Sequence, residues 1–367
     1  MSSSTTSATV VDVARKAGVS VGTVSRVLNG YRNVSAANLE RVQKAMQDLG
    51  YDKYRSPEQL VSRRNGVRSQ TGNIGVIFSE MGSSWADHPL VAAYSMGVEQ
   101  ACQKKGFHAL IEFSEKGDEL PRCVRENKVD ALLIKGTRGL PAYLDELPKG
   151  LPTVCVGLND PTANIQQVAP DNRGAGWVAA DYLWGIGHRR IGFVCPQLRH
   201  PMFLARFHGY EAFLRSRQGF DPTLCAVDDS HVSFGVPEFR PPDMRAAVEK
   251  LLEAPGEPVT AIIAANDWMA HGVYAVLAEA GKSIPDDISV MAFDNAMAIC
   301  TSLRPQLTSY AIPFGEVAYA AAMKVIEKIQ NPEVLWNHSL HLVRGTLVER
   351  ESVKPLTLLS EDMAEAS

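Results

Sequence analysis

The stretch TVVDVARKAGVSVGTVSRVLNG, residues 9–30, decides how the front of this 367-residue chain folds. Thr9 can cap a first helix, with Asp12 three residues on at the spacing of a capping box. Val10, Val13, Ala14 and Ala17 then share one face at helical spacing. Gly18 permits a tight turn because it tolerates left-handed backbone. Ser20 can cap a second helix whose Val24, Val27 and Leu28 point inward, and Gly30 ends it near Asn29. Two short helices joined by a glycine-containing turn make a helix-turn-helix. A third helix is expected from Ser35 to about Leu49, with Leu39, Val42, Ala45, Met46 and Leu49 as its apolar stripe and Gly50 as its stop. The exposed face of the second helix then carries the hydroxyls of Ser20, Thr23 and Ser25, the amide of Asn29 and one cation, Arg26. Neutral donors of this kind grip phosphates, and an arginine fork matches guanine O6 and N7 in a major groove. The competing reading is a polar face that touches only water; the turn, the caps and the lone arginine together favour the first.

Charge supports a nucleic-acid partner. Residues 1–65 hold ten Lys/Arg against five Asp/Glu, and the remainder holds 27 against 36. A basic head on an acidic body suits a polyanion, or else it is an unevenly charged solvated surface. At 45% hydrophobic and 21% charged residues the chain has globular composition, and its length calls for two or three domains. No apolar run approaches the roughly 20 residues of a bilayer span. The opening MSSSTTSATV lacks the basic and apolar regions of a secretory signal, so a cytoplasmic protein without a membrane partner is expected. Cys102, Cys123, Cys155, Cys195, Cys225 and Cys300 show no metal-ligand spacing and lie in or beside apolar runs, which predicts buried free thiols and no metal. No cofactor is implied.

After residue 73 the rhythm changes. NIGVIF, HALIEF, DALLIK, TVCVGL, RIGFVC, CAVDD, TAIIAAN and ISVMAFD are short apolar runs fit for buried parallel strands, separated by helical stretches such as PLVAAYSMGVEQACQKKG. Two doubly wound halves of this kind take ligands at the carboxyl ends of their strands. A nucleotide-dependent enzyme is disfavoured: GIGHRR completes no GxGxxG, no GxxxxGK[ST] or GxSxG occurs, and His188 reads as structural at a helix-to-strand turn.

Residues 9–51, through DVARKAGVSVGTVSRVLNG and VSAANLERVQKAMQDLGY, resemble the DNA-binding head of the lactose/galactose repressor family. The resemblance implies that Val21, Gly22 and Arg26 read bases and that Thr9, Ser20, Thr23, Ser25, Asn29 and Ser35 touch the DNA backbone. Gly22 departs from the pattern by offering a base no side chain. In the connector YDKYRSPEQLVSRRNGVRSQTGN (51–73), the family's hinge helix wedges a leucine into the minor groove. Leu60 stands at that position, preceded by Pro57 where the family usually has Ala or another small residue, and by Glu58, which puts a negative charge close to phosphates; a flexible basic tether is the alternative.

The body resembles the same family, and through it periplasmic sugar-binding proteins, in DNRGAGWVAADYLWGIGHRRIGFV (171–194), RFHGYEAF (206–213), ANDWMAHGVYAVLAEAG (265–281), IPDDISVMAFDNA (284–296) and LVERES (347–352). The fold it implies is an all-α helix-turn-helix head plus an α/β periplasmic-binding-protein-like core of two doubly wound parallel-sheet subdomains. The layout expected is a tail 1–8, head 9–53, hinge 54–72, core 73–351 and acidic tail 352–367. The subdomains would be 73–161 with 293–323, and 162–292 with 324–351. Arg206, Asn266 and Asp294 match polar pocket positions, and their chemistry suits a polyhydroxylated effector; a salt bridge for Arg206 and a helix cap for Asn266 are the competing roles. Asp267 reads as a cap. Gly157 stands where sugar-binding relatives often place an aspartate. The long SEMGSSWADHPL loop brings Trp85 and His88 toward the cleft, where Trp85 either stacks on a ligand or packs under its own loop. Ser79 and Phe234 are further candidates. The function implied is a homodimeric, effector-controlled DNA-binding regulator, most simply a repressor, on a near-palindromic double-stranded operator. A solute-binding protein for transport is the alternative, and it leaves the head without a role.

Overall fold

Thr9 opens the first helix in the way its spacing predicts. Its hydroxyl oxygen accepts from the Asp12 amide at 3.3 Å, and the Asp12 carboxylate accepts from the Thr9 amide at 3.0 Å. A computed structural model of the chain describes residues 9–28, 34–49, 51, 70–82, 85, 88–136, 139–160, 162–229 and 242–356. These fall into two compact units divided at Thr71. In the first, α1 (Val10–Ala17), α2 (Val21–Leu28) and α3 (Ala36–Asp48) follow one another. Gly18 closes α1 with a φ of 64°, a conformation that costs glycine nothing. Val13, Ala14, Ala17, Val24, Val27, Val42, Ala45, Met46 and Tyr51 build this unit's own core. Leu39, expected in the apolar stripe of α3, is 38% exposed; Val42, Ala45 and Met46 are the buried residues of that helix.

The second unit holds two six-stranded sheets. The first contains β1 (Asn73–Ser79), β2 (His108–Ser114), β3 (Ala131–Lys135), β4 (Thr153–Val156), β5 (Gln166–Pro170) and, from the far end of the chain, β11 (Leu340–Val343), in the order β11-β5-β4-β3-β1-β2. The second contains β6 (Ile191–Cys195), β7 (Cys225–Val227), β8 (Ala261–Ala264), β9 (Ser289–Phe293), β10 (Thr308–Ala311) and β12 (Thr346–Val348), in the order β12-β10-β9-β8-β6-β7. Among the described residues, every pairing of these strands is parallel except β10 with β12, and an isolated antiparallel bridge joins Met81 to Ser114. Helices α4 (Pro89–Lys105) and α9 (Phe314–Gln330) pack together beside the first sheet. Helices α5 (Asn172–Gly185), α6 (Pro201–Ser216), α7 (Arg245–Leu252) and α8 (Asp267–Glu279) serve the second.

The subdomain boundaries differ from those expected. The chain leaves the first sheet after Pro170, not near 161; it returns after Ala311, not near 293; and it crosses a last time between Val343 and Thr346, not near 324. The reason lies in polar strands. QQVAP (166–170) lacks the apolar run that marks a strand, yet it pairs with β4 and β11 and stays in the first sheet. β10 likewise pairs with β9 and keeps 294–311 in the second.

The core also continues past 351. Ser352 is fully buried, its hydroxyl donating to the Val290 carbonyl at 2.6 Å and accepting from the Thr308 amide at 2.8 Å. The Leu356 amide donates to the Ile186 carbonyl at 2.9 Å. His188 is buried at the helix-to-strand turn, with Nε2 donating to the Lys354 carbonyl at 3.1 Å and Nδ1 bonded to the Thr260 hydroxyl at 3.0 Å. Among the described residues no helix is long and apolar enough to cross a membrane.

Candidate functional site: a helix face and a cleft

In the head, α2 buries Val24 and Val27 and leaves Val21, Gly22, Ser25 and Arg26 exposed. Their spacing puts these four on one side of the helix. Arg26 forms no ion pair among the described residues, so its fork is available. A Cβ on Gly22 would meet only the Ser20 hydroxyl, at 3.7 Å. The head's own packing therefore does not require glycine there; what glycine offers is a bare backbone on the outer face. The hydroxyl candidates are largely helix caps. Ser20 Oγ accepts from the Thr23 amide at 3.1 Å and lies 2.9 Å from the Thr23 hydroxyl. Ser35 Oγ accepts from the Asn38 amide at 3.4 Å. Thr9 gives its hydroxyl proton to Asp12 at 2.6 Å, which leaves that oxygen's donor inside the head. Asn29 and Leu60 lie outside the described residues.

In the core, the loops at the carboxyl ends of both sheets enclose a cavity of about 1080 Å³, the size and position expected of a small-molecule site. Of the effector candidates, Trp85, His88, Asn266 and Asp294 line it. Asp294 follows β9 with a φ of 101°, a strained backbone for an aspartate. It is held there from several sides. Its amide donates to the Tyr310 carbonyl at 2.9 Å, and Arg206 Nη2 donates to its carboxylate at 2.7 Å. The next residue, Asn295, also has positive φ; its amide donates to the Ser309 hydroxyl, and Arg350 donates to its side-chain oxygen at 2.6 Å. The side chain that lines the cavity is thus held in place without help from a ligand.

Arg206 itself does not line the cavity. It is fully buried on α6, donating from Nε to Asn172 at 3.0 Å and from Nη1 to the Ala265 carbonyl at 2.7 Å as well as to Asp294. The expected fork onto a ligand is corrected to a support: it ties α5, the end of β8 and the Asp294 loop together. Close helix packing makes this possible. A Cβ on Gly176 of α5 would fall 1.9 Å from the Arg206 carbonyl oxygen, and one on Gly209 of α6 would fall 2.0 Å from that of Arg173. Asn266 spends its oxygen capping α8, accepting from the Met269 amide at 2.8 Å, and keeps its amide donors. Asp267 does not cap its helix: it is buried, accepting from the Ala296 amide at 2.6 Å and the Ser309 hydroxyl at 2.7 Å. Burial, reinforced by Asp294, raises its carboxyl to about 7. Ser79 is buried at the end of β1 and does not line the cavity, and Phe234 lies outside the described residues.

Sequence reading named His88 but missed its counterpart, His200. His88-Pro89 starts α4 and His200-Pro201 starts α6, and both imidazoles line the cavity. Each Nδ1 accepts a backbone N–H at 3.2 Å, from Leu90 and from Met202. An amide can only donate, so the ring proton of each neutral histidine sits on Nε2. Burial lowers the His88 pKa, against the opposing pull of Asp294 and with help from Lys135, which favours that neutral form. The signal was the repeated HPL and HPM. Other lining residues, missed likewise, are Lys135, Asn172, Gln197 and Trp268.

A helix-turn-helix with an unpaired arginine on its outer face, carried on the same chain as a cleft of this kind, defines a DNA-binding regulator with a ligand-taking core. Known proteins agree. Residues 9–53 match the family of bacterial regulatory proteins described as the lacI family, and residues 180–353 match the periplasmic binding protein-like domain. The chain is 31% identical to the HTH-type transcriptional regulator CelR of Thermobifida fusca, over 86% of its own length and 90% of that protein's. It is 30% identical to the HTH-type transcriptional repressor CytR of Escherichia coli (strain K12), covering 90% of this chain and 92% of that one. A solved transcriptional regulator CelR–cellobiose complex aligns with a TM-score of 0.64 at 27% identity, covering 94% of this chain and 99% of the other. The chain belongs to the lacI family of bacterial regulatory proteins; it is a DNA-binding transcriptional regulator and not an enzyme.

Proposed function

We propose that the protein is a homodimeric repressor of the bacterial cytoplasm, whose two heads occupy half-sites of a near-palindromic operator and whose cleft takes a carbohydrate effector. In this reading α2 enters the major groove. Val21, Gly22 and Arg26 face base edges, Thr9, Ser20, Thr23, Ser25, Asn29 and Ser35 face the backbone, and Leu60 of each subunit wedges the minor groove at the centre. The observation that carries the reading is Arg26: an exposed guanidinium on the outer face of α2, without an internal ion pair, flanked by a glycine that the head does not need. The effector reading is supported by the anchored Asp294 carboxylate in a cavity that Trp85 and His88 also line, since carbohydrates are held by planar acceptors and aromatic faces. A CelR relative has been solved with cellobiose. Effector binding acts on DNA affinity only through unequal affinity for two arrangements of the subdomains.

The experiment is footprinting and anisotropy titration of the full-length protein on the DNA upstream of its own gene. A short palindrome is expected, with affinity falling steeply as salt rises, because phosphate contacts release counterions. Arg26→Ala should cost roughly 1–3 kcal/mol and relax preference at one base pair. Unchanged affinity and preference in Arg26→Ala would remove the base-reading role, and equal binding to random duplex would remove the function.

A further inference from the structure

We propose that the effector is an acid: a polyhydroxylated molecule carrying a carboxylate or a phosphate ester, whose negative charge is received by Lys135. This rests on the reading of the cleft as an effector site and narrows its ligand class.

Lys135 ends β3, after four fully buried residues, and its side chain lines the cavity. Nζ donates to the neighbouring Gly136 carbonyl at 2.5 Å, and among the described residues no carboxylate lies within ion-pairing distance of it. A partly buried ammonium without a counter-charge is costly and is commonly paired. The surroundings are arranged to hold it. Gly157 has a φ of 82°, and a Cβ there would lie 3.2 Å from Lys135 Cε and 3.1 Å from the Tyr94 hydroxyl. The position that faces the lysine thus contributes neither bulk nor charge.

The carboxylates that line the cavity are engaged elsewhere or stand apart. Asp294 is paired with Arg206, and Asp267 accepts from Ala296 and Ser309. Glu316 belongs to α9 and forms no ion pair with Lys135. His88, which also lines the cavity, lies close enough to Lys135 for the cation to help keep its imidazole neutral, and α4, α6 and α8 begin at the cavity with their N-terminal residues among its lining. Burial lowers the Lys135 pKa to about 8, with no opposing charge to hold it up. The site therefore offers a fixed acceptor for hydroxyls, Asp294, already paired with Arg206, and also a cation, Lys135, that has no ion-pair partner among the described residues. A neutral sugar answers only the carboxylate. A sugar acid or sugar phosphate answers both.

The test uses full-length protein and a matched panel: neutral pentoses, hexoses and disaccharides, the corresponding aldonic and uronic acids, and the corresponding sugar phosphates. Thermal shift finds binders and calorimetry ranks them. An anionic member should bind at least tenfold more tightly than its neutral counterpart, and the carboxylate and phosphate arms identify which acid is read. Lys135→Met should lose that preference without lowering the melting temperature of the unliganded protein, and Lys135→Arg should retain the preference. The affinity should also fall roughly tenfold between pH 7 and pH 9 as the lysine deprotonates. His88, His200, Tyr94, Asp294 and Glu316 also face the cavity, so the same titration on Lys135→Arg, which should be flat, isolates the lysine. A neutral sugar that binds as tightly as its acid, or an acid preference that survives Lys135→Met, overturns the inference and leaves the effector reading standing. If no member binds, charged or neutral, both fall together.

Discussion

Asp294 shows how one residue is fixed by its neighbours before any ligand arrives. Its left-handed backbone costs on the order of 1–3 kcal/mol, and Arg206, Tyr310 and Ser309 hold the loop against that cost. The dependence runs both ways, because Arg206 is fully buried and Asp294 is its one carboxylate partner among the described residues. Asp294→Ala should therefore destabilise the core by roughly 3–5 kcal/mol, the effect of stranding a buried charge, and urea unfolding measures it. A loss below about 1 kcal/mol would mean that the guanidinium finds another partner. Asp267 behaves unlike an ordinary acid. Its carboxyl is raised from 3.8 to about 7 by burial and by Asp294. The folded state thus holds a proton more tightly than the unfolded chain, so its contribution is full below about pH 4 and is lost as pH rises through about 7. The stability of the wild type relative to Asp267→Asn should decline across that window in unfolding experiments at stepped pH. Legibility in the sequence differed between these residues for a physical reason. Asp294 and Asn266 sit in motifs that carry a resemblance, whereas Lys135, at the end of an apolar strand, reads like any lysine turned to solvent. Its setting depends on Gly157, more than twenty residues away.

Helix packing decides where the site residues stand. α5 and α6 approach so closely at Gly176 and Gly209 that the backbone of one touches the other, which places Arg206 beside Asn172. Gly176→Ala inserts a methyl group against a carbonyl oxygen that cannot move aside like a side chain. It should cost about 1–3 kcal/mol or more and also weaken ligand binding, because Asp294 depends on the same arginine; calorimetric unfolding with and without ligand reads both. Apolar runs revealed most of the strands, from NIGVIF to ISVMAFD, although HALIEF, expected to be buried, forms the half-exposed edge strand β2, where Ile111 is 43% exposed. They did not reveal β5, β10, β11 or β12, whose residues are polar, half-exposed or short. Those four determine where the chain crosses between sheets, and the misplaced boundaries follow from missing them. Helix caps were easier to read, since Thr9, Ser20 and Ser35 act within three residues of themselves.

The core joins its two sheets by three crossings, after Pro170, after Ala311 and between Val343 and Thr346. The cleft lies where the two subdomains face one another, and its lining draws on both. Any ligand that favours one arrangement of the subdomains acts on all three crossings at once. If effector changes operator affinity by some factor, operator must change effector affinity by the same factor, by thermodynamic linkage. Calorimetry of effector binding with and without a saturating operator duplex should return the factor found by anisotropy, and unequal factors would mean that the two ligands do not share one pair of states. The six cysteines supply the means to watch this happen. All are free and buried, and burial pushes each thiol well above its ordinary pKa, to about 11 for Cys102 and about 12 for Cys155. The native protein should consequently react only slowly with maleimides. A single cysteine introduced at exposed Met297, among the residues that line the cleft, would take a fluorophore at one address, and its emission would test whether a ligand changes the cleft, without any wild-type thiol having to be removed.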